Sequence, residues 1–445
     1  MTTMSNKPIL TPPVKRAQLG HYILRIFGRQ AANRFHRIES LTGKEYLPNI
    51  KEPIILVGNH QNGMIDGLYV SSMLTRQFHW LTRADAFWNP IFRPFIYSFN
   101  HVPIYRMRDK LPDLRERNEI IFNCCIDRME IGASIALFPE GNHKPQRNIR
   151  SIKRGVSDLI GKAYTRHKSL SRLKLIPFGL DYEDYPRYRS RIALRAGEPI
   201  EWIDLYDEST QTVDHKILGE RIINALKNLT TDIQPSEEYE TFEPYVRGLR
   251  TTEGDRKQWE VHQKELIRIK DAATDNTWLS VVKDAYKNLF EAGYRKEMRV
   301  ESWGHTPEHI RNRKFWITVI KPLRWLLNLP TVLQETWLDR TFTKSKKIEF
   351  QSTFKIGVGM FLYPLSWTIM ALGIGFAVSK YEIANFWLGF FVFWSWATWG
   401  NKLNGKLVDH EDDHADAIEG EAFWGDEKMS VLREAWINYI DAIKS

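Results

Sequence analysis

The sequence predicts an α/β protein in which a largely parallel sheet is flanked by helices, with a helical insertion and a C-terminal transmembrane helical hairpin. From Pro53 to Ile200, short apolar runs alternate with helical stretches, which is the pattern of parallel strands joined by helices. From Ile356 to Asn401, two uncharged stretches are separated by a short charged connection, as in paired membrane helices. A chain of 445 residues also exceeds what one hydrophobic core usually supports, so we expect more than one structural unit.

Five apolar runs of strand length, most of them bounded by Gly, Pro or Asn, are the predicted strands. They are Ile54–Val57, Val102–Tyr105, Ile135–Phe138, Leu175–Phe178 and Arg191–Leu194. The helices predicted between them are Asp66–Leu74, Leu114–Glu130 and Gly155–His167. Because ligands bind such sheets at the carboxyl ends of the strands, the residues that follow each strand are the first candidates for chemistry.

Composition excludes several classes of protein. The chain has 63 Lys and Arg against 54 Asp and Glu, and its 43% hydrophobic and 26% charged residues are ordinary for a globular protein, so extensive disorder is not expected. The two cysteines, Cys124 and Cys125, are neighbours, so they provide neither a disulfide scaffold nor a four-ligand zinc site.

The chain divides into five predicted regions. Residues 1–45 are expected to hold a basic amphipathic helix at a membrane surface, 46–205 the α/β unit, 206–345 a helical and partly interfacial region, 346–404 the transmembrane hairpin, and 405–445 an acidic helical tail. The charged stretch from Gln211 to Gly304 is only loosely periodic, and its sequence does not indicate a role.

The hairpin prediction depends on two uncharged stretches, Ile356–Val378 and Ile383–Asn401. At ~1.5 Å per residue, each approaches the ~30 Å thickness of the hydrocarbon core. Five tryptophans favour a membrane, since indole rings collect at the headgroup level: Trp367, Trp387, Trp394, Trp396 and Trp399. Lys and Arg concentrate outside the two stretches, so the positive-inside rule places both flanks in the cytoplasm. A pair of buried core helices is the alternative.

The first residues contain no apolar core of a signal peptide, so export is not expected. His21–Ile38 reads as a helix with an apolar side and four arginines, which suits either an anionic bilayer surface or packing on the protein's own domain. Phe315–Leu338 is apolar but is interrupted by Lys321, Pro322, Arg324 and Pro330, which favours an interfacial or re-entrant segment over a span.

The first candidate site follows the first predicted strand. His60 and Asp66 lie six residues apart, a rotation of about 600° on a helix, so they share no face of one regular helix. They can meet only if His60 lies on the turn, with Gly63 supplying conformational freedom and Asp66 in the first helical turn. The carboxylate then fixes the imidazole tautomer and stabilises imidazolium, which leaves the other ring nitrogen as a general base. The alternative is a purely structural role, in which Asp66 caps the helix and His60 is merely hydrogen-bonded.

The second candidate site follows the third predicted strand. Phe138-Pro139-Glu140-Gly141-Asn142-His143 is followed by Lys144, Arg147, Arg150, Lys153 and Arg154. A carboxylate among many cations suits an acceptor that carries hydroxyls and a phosphate, although a solvated basic loop has the same composition. Arg106 follows another strand.

The ordered set of motifs resembles the glycerol-3-phosphate and 1-acylglycerol-3-phosphate acyltransferase superfamily over roughly Ile23 to Ile200. The motifs are Asn59-His60 with Asp66, Arg106 after an apolar strand, Phe138-Pro139-Glu140-Gly141 with Lys153 and Gly155, and Ile176-Pro177-Phe178. The resemblance implies that residues 46–205 form an acyltransferase catalytic domain in which His60 deprotonates an acceptor hydroxyl and Asp66 orients it. It also implies that Arg106 and Lys153 contact phosphate and that Asn59, Phe138 and Pro139 line the substrate site, with Glu140 and Gly141 as an acceptor clamp.

Two departures from the family pattern bear on the acceptor. Five residues separate His60 from Asp66 where four are usual, a spacing associated with a longer branch of the family that has a C-terminal membrane hairpin. Asn142-His143 stands where Thr-Arg or Ser-Arg is common, so the anion contact of that arginine is expected from His143 or a neighbouring cation. The two departures therefore leave several acceptors possible, whereas the resemblance implies acyl transfer in every case.

These observations predict a membrane-bound O-acyltransferase of phospholipid biosynthesis, which transfers a fatty acyl group from acyl-CoA or acyl carrier protein to glycerol 3-phosphate or 1-acylglycerol 3-phosphate. We expect no cofactor, no metal and no nucleic acid, with membrane lipids and the acyl donor as partners. The expected location is the cytoplasmic (inner) membrane, with the catalytic domain on its cytoplasmic face. The alternatives are another lyso-lipid acceptor, such as an amino-acid-derived lipid, and a non-catalytic lipid-binding scaffold. His410 and His414 have a metal-binding spacing, but an exposed acidic helix explains them better.

Overall fold

The computed structural model describes residues 9–13, 15, 19–47, 52–74, 76–185, 187–249, 256–304, 313–342 and 348–445. The strands are β1 Arg37–Thr42, β2 Ile54–Gly58, β3 Phe78–Arg83, β4 His101–Ile104, β5 Ser134–Leu137, β6 Lys174–Tyr182, β7 Arg191–Ala196, β8 Tyr206–Asp207 and β9 Thr212–Val213. The first helices are α1 Leu19–Phe35, α2 Gly63–Met73, α3 Arg93–Ser98, α4 Leu114–Glu130, α5 Gly155–Arg166, α6 His215–Lys227, α7 Tyr239–Gly248 and α8 Arg256–Ala272. The remaining helices are α9 Asn276–Glu291, α10 Arg313–Asn328, α11 Val332–Phe342, α12 Ile348–Lys380, α13 Phe386–Ser395, α14 Asn401–Gly425 and α15 Ser430–Lys444.

The main sheet has seven strands in the order β1-β7-β6-β2-β5-β3-β4. All neighbouring pairs are parallel except β6 and β7, which are antiparallel. The predicted fold class is therefore confirmed: a largely parallel sheet flanked by helices. Strands β2, β5, β3 and β4 end at the same edge, which brings together the loops that begin at Asn59, Ala84, Tyr105 and Phe138.

Both faces of the sheet are covered, because alternate residues of a strand point to opposite faces. Ile55 and Val57 of β2 pack in one core with side chains of α4, α5 and α6. Ile54 and Leu56 pack in a second core with α1, α2 and the beginning of α12. The central strand is thus buried along its whole length, as is usual for parallel sheets.

All five predicted strands occur, but four strands were not predicted: β1 and β3 in the main sheet, and the two-residue strands β8 and β9. β1 follows α1 directly and pairs with β7 at the edge of the sheet, so the sheet begins before residue 46, where the α/β unit was expected to start. The predicted helix His21–Ile38 therefore ends at Phe35, because the next residues are extended and bonded to β7. β3 was not predicted because its polar residues, His79 and Thr82, interrupt the apolar run.

Helix α1 packs on its own domain and also keeps an exposed apolar side. Gly28 lies against Leu68 of α2 and close to Met360 of α12. Four apolar side chains of α1 are exposed: Leu19, Tyr22, Ile23 and Ile26. One side of the helix thus packs on the protein's own domain. The other side is apolar and exposed, and its binding to a bilayer stays a prediction.

A separate helical core is formed by segments that are distant in sequence. Side chains of α7, α8, α9 and α15 pack together with Val300, Trp303 and Phe423, and the rings of Trp303 and Phe423 are stacked with centroids 4.2 Å apart. The acidic tail therefore completes the core of the stretch whose role the sequence did not indicate. This helical unit comprises residues 236–249 and 256–304 with 423–443, and its Trp259 lies against Arg195 of β7.

The C-terminal apolar region forms a helical hairpin. α12 turns at Tyr381–Asn385 and packs on α13, with Gly389 close to the backbone of Gly375. The helix continues from α13 through a π-helical segment, Trp396–Gly400, into α14. Among the described residues, one helix, Thr353–Lys380, is long and apolar enough to cross a membrane.

The preceding apolar stretch is broken, as its prolines indicate. α10 contains Pro322 and ends at Asn328, a 3-10 turn follows at Leu329–Thr331, and α11 begins at Val332. Arg34 of α1 forms an ion pair with Glu335 of α11 and lies over the ring of Tyr363 in α12. This contact ties the apolar helices to the α/β unit.

Candidate active site

The imidazole of His60 lies at the carboxyl end of β2, on the turn before α2. Gly63 begins α2 with φ +52°, a left-handed conformation that favours glycine. His60 Nδ1 is 2.8 Å from Asp66 Oδ2, and the backbone N–H groups of Gln61 and Asn62 donate to the same oxygen at 2.8 and 2.9 Å. The turn thus brings the two residues together as their spacing requires.

The carboxylate is fully buried, whereas the imidazole reaches the surface. The side chain of Asp66 is 0% exposed and that of His60 is 16% exposed. Because Asp66 accepts from Nδ1, the Nδ1–H tautomer is fixed and Nε2 carries the lone pair. Within the described part of the chain, Nε2 has no hydrogen-bond partner. This nitrogen can therefore accept a proton from a bound hydroxyl.

Aromatic rings form one wall of the site. Phe138, at the end of β5, is stacked on His60 with centroids 4.2 Å apart and planes 7° apart, and Trp80 of β3 stacks behind it at 5.2 Å. His143 meets His60 edge to face at 5.4 Å. The wall restricts the imidazole to one plane, and it places His143 beside the base.

Glu140 and Arg150 connect the two loops of the site. Glu140 accepts a hydrogen bond from the backbone N–H of His60 at 3.2 Å and forms an ion pair with Arg150. Arg150 also donates to the carbonyl of His60 at 3.0 Å and to Asn142. Burial raises the pKa of Glu140 to about 7, and the charge of Arg150 opposes this shift. In this geometry both groups hold the His60 turn.

Of the other predicted site residues, Asn59 and Pro139 are buried, whereas Gly141 and Lys153 are exposed. Asn59 is fully buried, and its amide exchanges two 2.8 Å hydrogen bonds with the backbone of Leu180, which places it within the sheet rather than at a substrate surface. Pro139 is buried, and its carbonyl accepts from the N–H of Lys153 at 2.8 Å. Gly141 has φ +78° and borders the stem of Lys153. Lys153 and Lys144 are exposed cations on this loop.

Arg106 follows β4, the edge strand, which lies three strands away from β2 in the sheet. Its guanidinium is 3.4 Å from Asp109 and 3.6 Å from Asp85, and the backbone N–H of Arg106 donates to Asp109. Two carboxylates therefore share this cation. A phosphate at Arg106 would compete with both of them, whereas Lys153 has no described ion pair.

One residue that the sequence did not indicate contacts the buried carboxylate. The hydroxyl of Tyr182, at the end of β6, donates to Asp66 Oδ1 at 2.6 Å. The two residues are 116 positions apart, and the predicted strand ended four residues earlier, so no local pattern joins them. The side chains of His410 and His414 lie outside the described residues, so the metal-binding alternative at that pair stays an untested prediction.

Comparison with known proteins shows which family the site segment is similar to. Residues 39–180 match the family model described as Acyltransferase. The chain is 24% identical over 245 residues to a 1-acyl-sn-glycerol-3-phosphate acyltransferase of Chlamydomonas reinhardtii, covering 54% of this chain and 69% of that protein. It is 26% identical over 154 residues to a chloroplastic 1-acyl-sn-glycerol-3-phosphate acyltransferase of Arabidopsis thaliana, covering 35% and 40%. The segment that contains the site is therefore similar to glycerolipid acyltransferases.

The match covers different shares of the two relatives. The matched segment spans about two thirds of the algal protein but less than half of the Arabidopsis protein. The crystal structure of the 1-acyl-sn-glycerophosphate acyltransferase PlsC from Thermotoga maritima aligns with a TM-score of 0.34 at 16% identity, covering 46% of this chain and 77% of that one. The family match ends at residue 180, so it does not extend to the helical unit or the hairpin.

Proposed function

We propose that the protein transfers a fatty acyl group from an acyl thioester, acyl-CoA or acyl carrier protein, to a hydroxyl of glycerol 3-phosphate or 1-acylglycerol 3-phosphate. One observation carries the proposal: an imidazole fixed by a buried carboxylate at a strand end, with Nε2 directed to the surface beside exposed lysines. The relatives named above act on a 1-acylglycerol 3-phosphate, which supports an acceptor of this class.

The reaction needs one proton relay. Nε2 of His60 takes the proton of the acceptor hydroxyl as its oxygen attacks the thioester carbonyl carbon. The carbon–sulfur bond then breaks, and the thiolate takes the proton from imidazolium. Asp66 stabilises imidazolium between these steps, and general base assistance of this kind contributes roughly 10² to 10⁴-fold. The relay has no covalent enzyme intermediate.

Cations on the Phe138–Arg154 loop would hold the phosphate of the acceptor. Lys153 and Lys144 are exposed on this loop, and His143 lies beside His60. Ammonium groups bind phosphate as point charges that a flexible stem can place. Lys153 is the best placed of them, because its stem borders Gly141 and its backbone is fixed to Pro139. Arg106 would be a second contact if it released a carboxylate.

The same enzyme would work at the surface of a membrane. The exposed apolar side chains of α1 lie next to α3, since Gly20 approaches Ser98, and α3 exposes Phe92 and Phe95. Met64, at the start of α2 near His60, is exposed and touches α12 at Gly357. Apolar surface thus extends from α12 to the rim of the site, which suits an acceptor and a product that stay in the bilayer. We place this surface on the cytoplasmic leaflet of the inner membrane.

Thioester consumption tests the function. Purified membranes that contain the protein are given one labelled acyl donor and a panel of acceptors: glycerol 3-phosphate, 1-acylglycerol 3-phosphate and an amino-acid-derived lyso-lipid. His60→Ala should lower acyl transfer at least roughly 10²-fold. His167→Ala removes a histidine at the end of α5 that pairs with Glu130 and should keep the wild-type rate. Equal rates in the wild type and His60→Ala would contradict the proposal.

A further inference from the structure

Tyr182 is the described residue that contacts the second oxygen of the Asp66 carboxylate. Oδ2 accepts from His60 Nδ1 and from two backbone N–H groups, whereas Oδ1 accepts from the Tyr182 hydroxyl at 2.6 Å. Tyr182 is fully buried. A carboxylate that is held at both oxygens has a fixed plane, so the direction of its bond to His60 is fixed as well.

The Tyr182 hydroxyl is held as a neutral donor. Burial, and then the negative charge of Asp66, raise the pKa of Tyr182 well above its ordinary value. Its ring is packed among Tyr69, Tyr185 and His36 at centroid distances of 5.3 to 6.1 Å. The hydroxyl therefore has neither a change of charge nor room to turn away from Asp66.

The backbone of Tyr182 is held from outside the sheet. Arg147 is buried and donates to the carbonyl of Tyr182 at 3.1 Å, and also to the carbonyl of Glu183. The same guanidinium donates to Glu243 of α7 at 3.1 Å, and the backbone N–H of Arg147 donates to the hydroxyl of Tyr239. The helical unit thus fixes the end of β6 that presents Tyr182 to Asp66.

We infer that Tyr182 is a positioning residue of the acyl transfer: its hydroxyl fixes the plane of Asp66 and thereby the direction in which that carboxylate holds His60. The inference rests on the proposed function. Loss of the hydroxyl leaves Oδ1 buried without a partner, which is costly for a carboxylate. Without this donor the carboxylate can turn, and the His60 imidazole loses its fixed direction.

Tyr182→Phe tests the inference, since it removes one oxygen and keeps the ring. We expect kcat to fall roughly 10-fold or more, as for other residues that orient a catalytic group, with KM for both substrates within about twofold of wild type. A residue that only fills space would lower stability, or change kcat and KM together, rather than lower kcat alone.

Tyr185→Phe is the matched control. Its hydroxyl belongs to the same buried cluster but donates to Gln61 at 3.3 Å, so its loss should leave kcat near the wild-type value. Thermal midpoints of both variants show whether either has lost its fold. A wild-type kcat for Tyr182→Phe would overturn the inference and leave the acyl transfer standing. Absence of acyl transfer by the wild-type protein, with every acceptor in the panel, would refute the proposed function instead, and the inference with it.

Discussion

At the scale of single residues, the proposed chemistry depends on which polar atoms of Asp66 and His60 have hydrogen-bond partners. The Asp66 carboxylate accepts four hydrogen bonds and is fully buried, so its charge is stabilised only where its donors are in place. His60 is different, because one ring nitrogen is used by Asp66 and the other is directed to the surface. The pair is therefore rigid on its protein side and open on its substrate side.

Asp66→Asn should lower kcat roughly 10²-fold or more with little change in KM or in membrane association. The amide fills the same space, and its oxygen can take the place of Oδ2 and accept from Nδ1–H. It carries no charge, however, so it does not stabilise imidazolium. Steady-state kinetics with the best acceptor of the panel measure the effect, and membrane sedimentation is the control. Wild-type turnover in this variant would mean that another group orients His60.

At the scale of elements, the site consists of loops held together by charge. The loop after β5 holds the loop after β2 through Arg150, which contacts Glu140, the His60 carbonyl and Asn142. The helical unit holds the end of β6 through Arg147 and also contacts the sheet at Arg195, whose guanidinium lies 3.5 Å from the ring of Trp259 in α8. Helices outside the matched family segment therefore have a structural role at the site.

Arg150→Met should destabilise the fold by up to roughly 1.4 kcal/mol more at pH 8 than at pH 5, because the buried Glu140 carboxylate loses its cationic partner. The pKa of Glu140 is already raised to about 7 by burial, and loss of Arg150 raises it further. At pH 5 Glu140 is protonated in the folded wild type and in the folded variant, so this penalty is absent. It grows as the pH rises above the folded pKa of the wild type, where only the variant keeps the proton.

Thermal midpoints in detergent between pH 5 and pH 8 measure this dependence. The double variant Glu140→Gln with Arg150→Met should recover most of the stability but not the activity, since the His60 carbonyl still lacks its donor. Arg221→Met is the control, because Arg221 pairs with Asp204 at the surface and such pairs contribute only about 0 to 1 kcal/mol. Equal destabilisation of Arg150→Met at pH 5 and pH 8 would show that Glu140 is not the cause.

At the scale of the whole molecule, the apolar hairpin and the α/β unit share one helix. Ile356 and Met360 of α12 belong to the core on the sheet, whereas Phe361, Leu365, Ile369 and Phe376 are exposed. From Phe361 to Lys380 the helix is about 30 Å long, and from Phe386 to Gly400 the returning segment is about 22 Å. We propose that both segments cross the bilayer, the shorter one with help from the unwound residues before α13.

Labelling of single cysteines measures this topology in intact cells, with Cys124→Ser and Cys125→Ser as background. Glu382→Cys lies in the exposed turn between α12 and α13, and we expect a membrane-impermeant thiol reagent to label it from outside. Lys144→Cys, on the exposed loop of the site, should react only after permeabilisation. If Glu382→Cys also required permeabilisation, the hairpin would enter one leaflet only, for which the short second segment supplies a reason.

Local signals in the sequence determined the alternation of strands and helices, the turn on which His60 meets Asp66, and the apolar hairpin. Each depends on residues close together in the chain: the rotation of a helix, a glycine with positive φ, or an uncharged run. Tertiary structure decided the antiparallel pairing of β6 and β7, the addition of β1, and the burial of Asn59 in the sheet. It also decided that Tyr182 holds Asp66, and that the acidic tail completes the core of the helical unit. Except for the β6–β7 pairing, which joins neighbouring strands of the chain, these contacts join residues 100 or more positions apart. Such pairs are selected by the packing of whole elements, which no local pattern records.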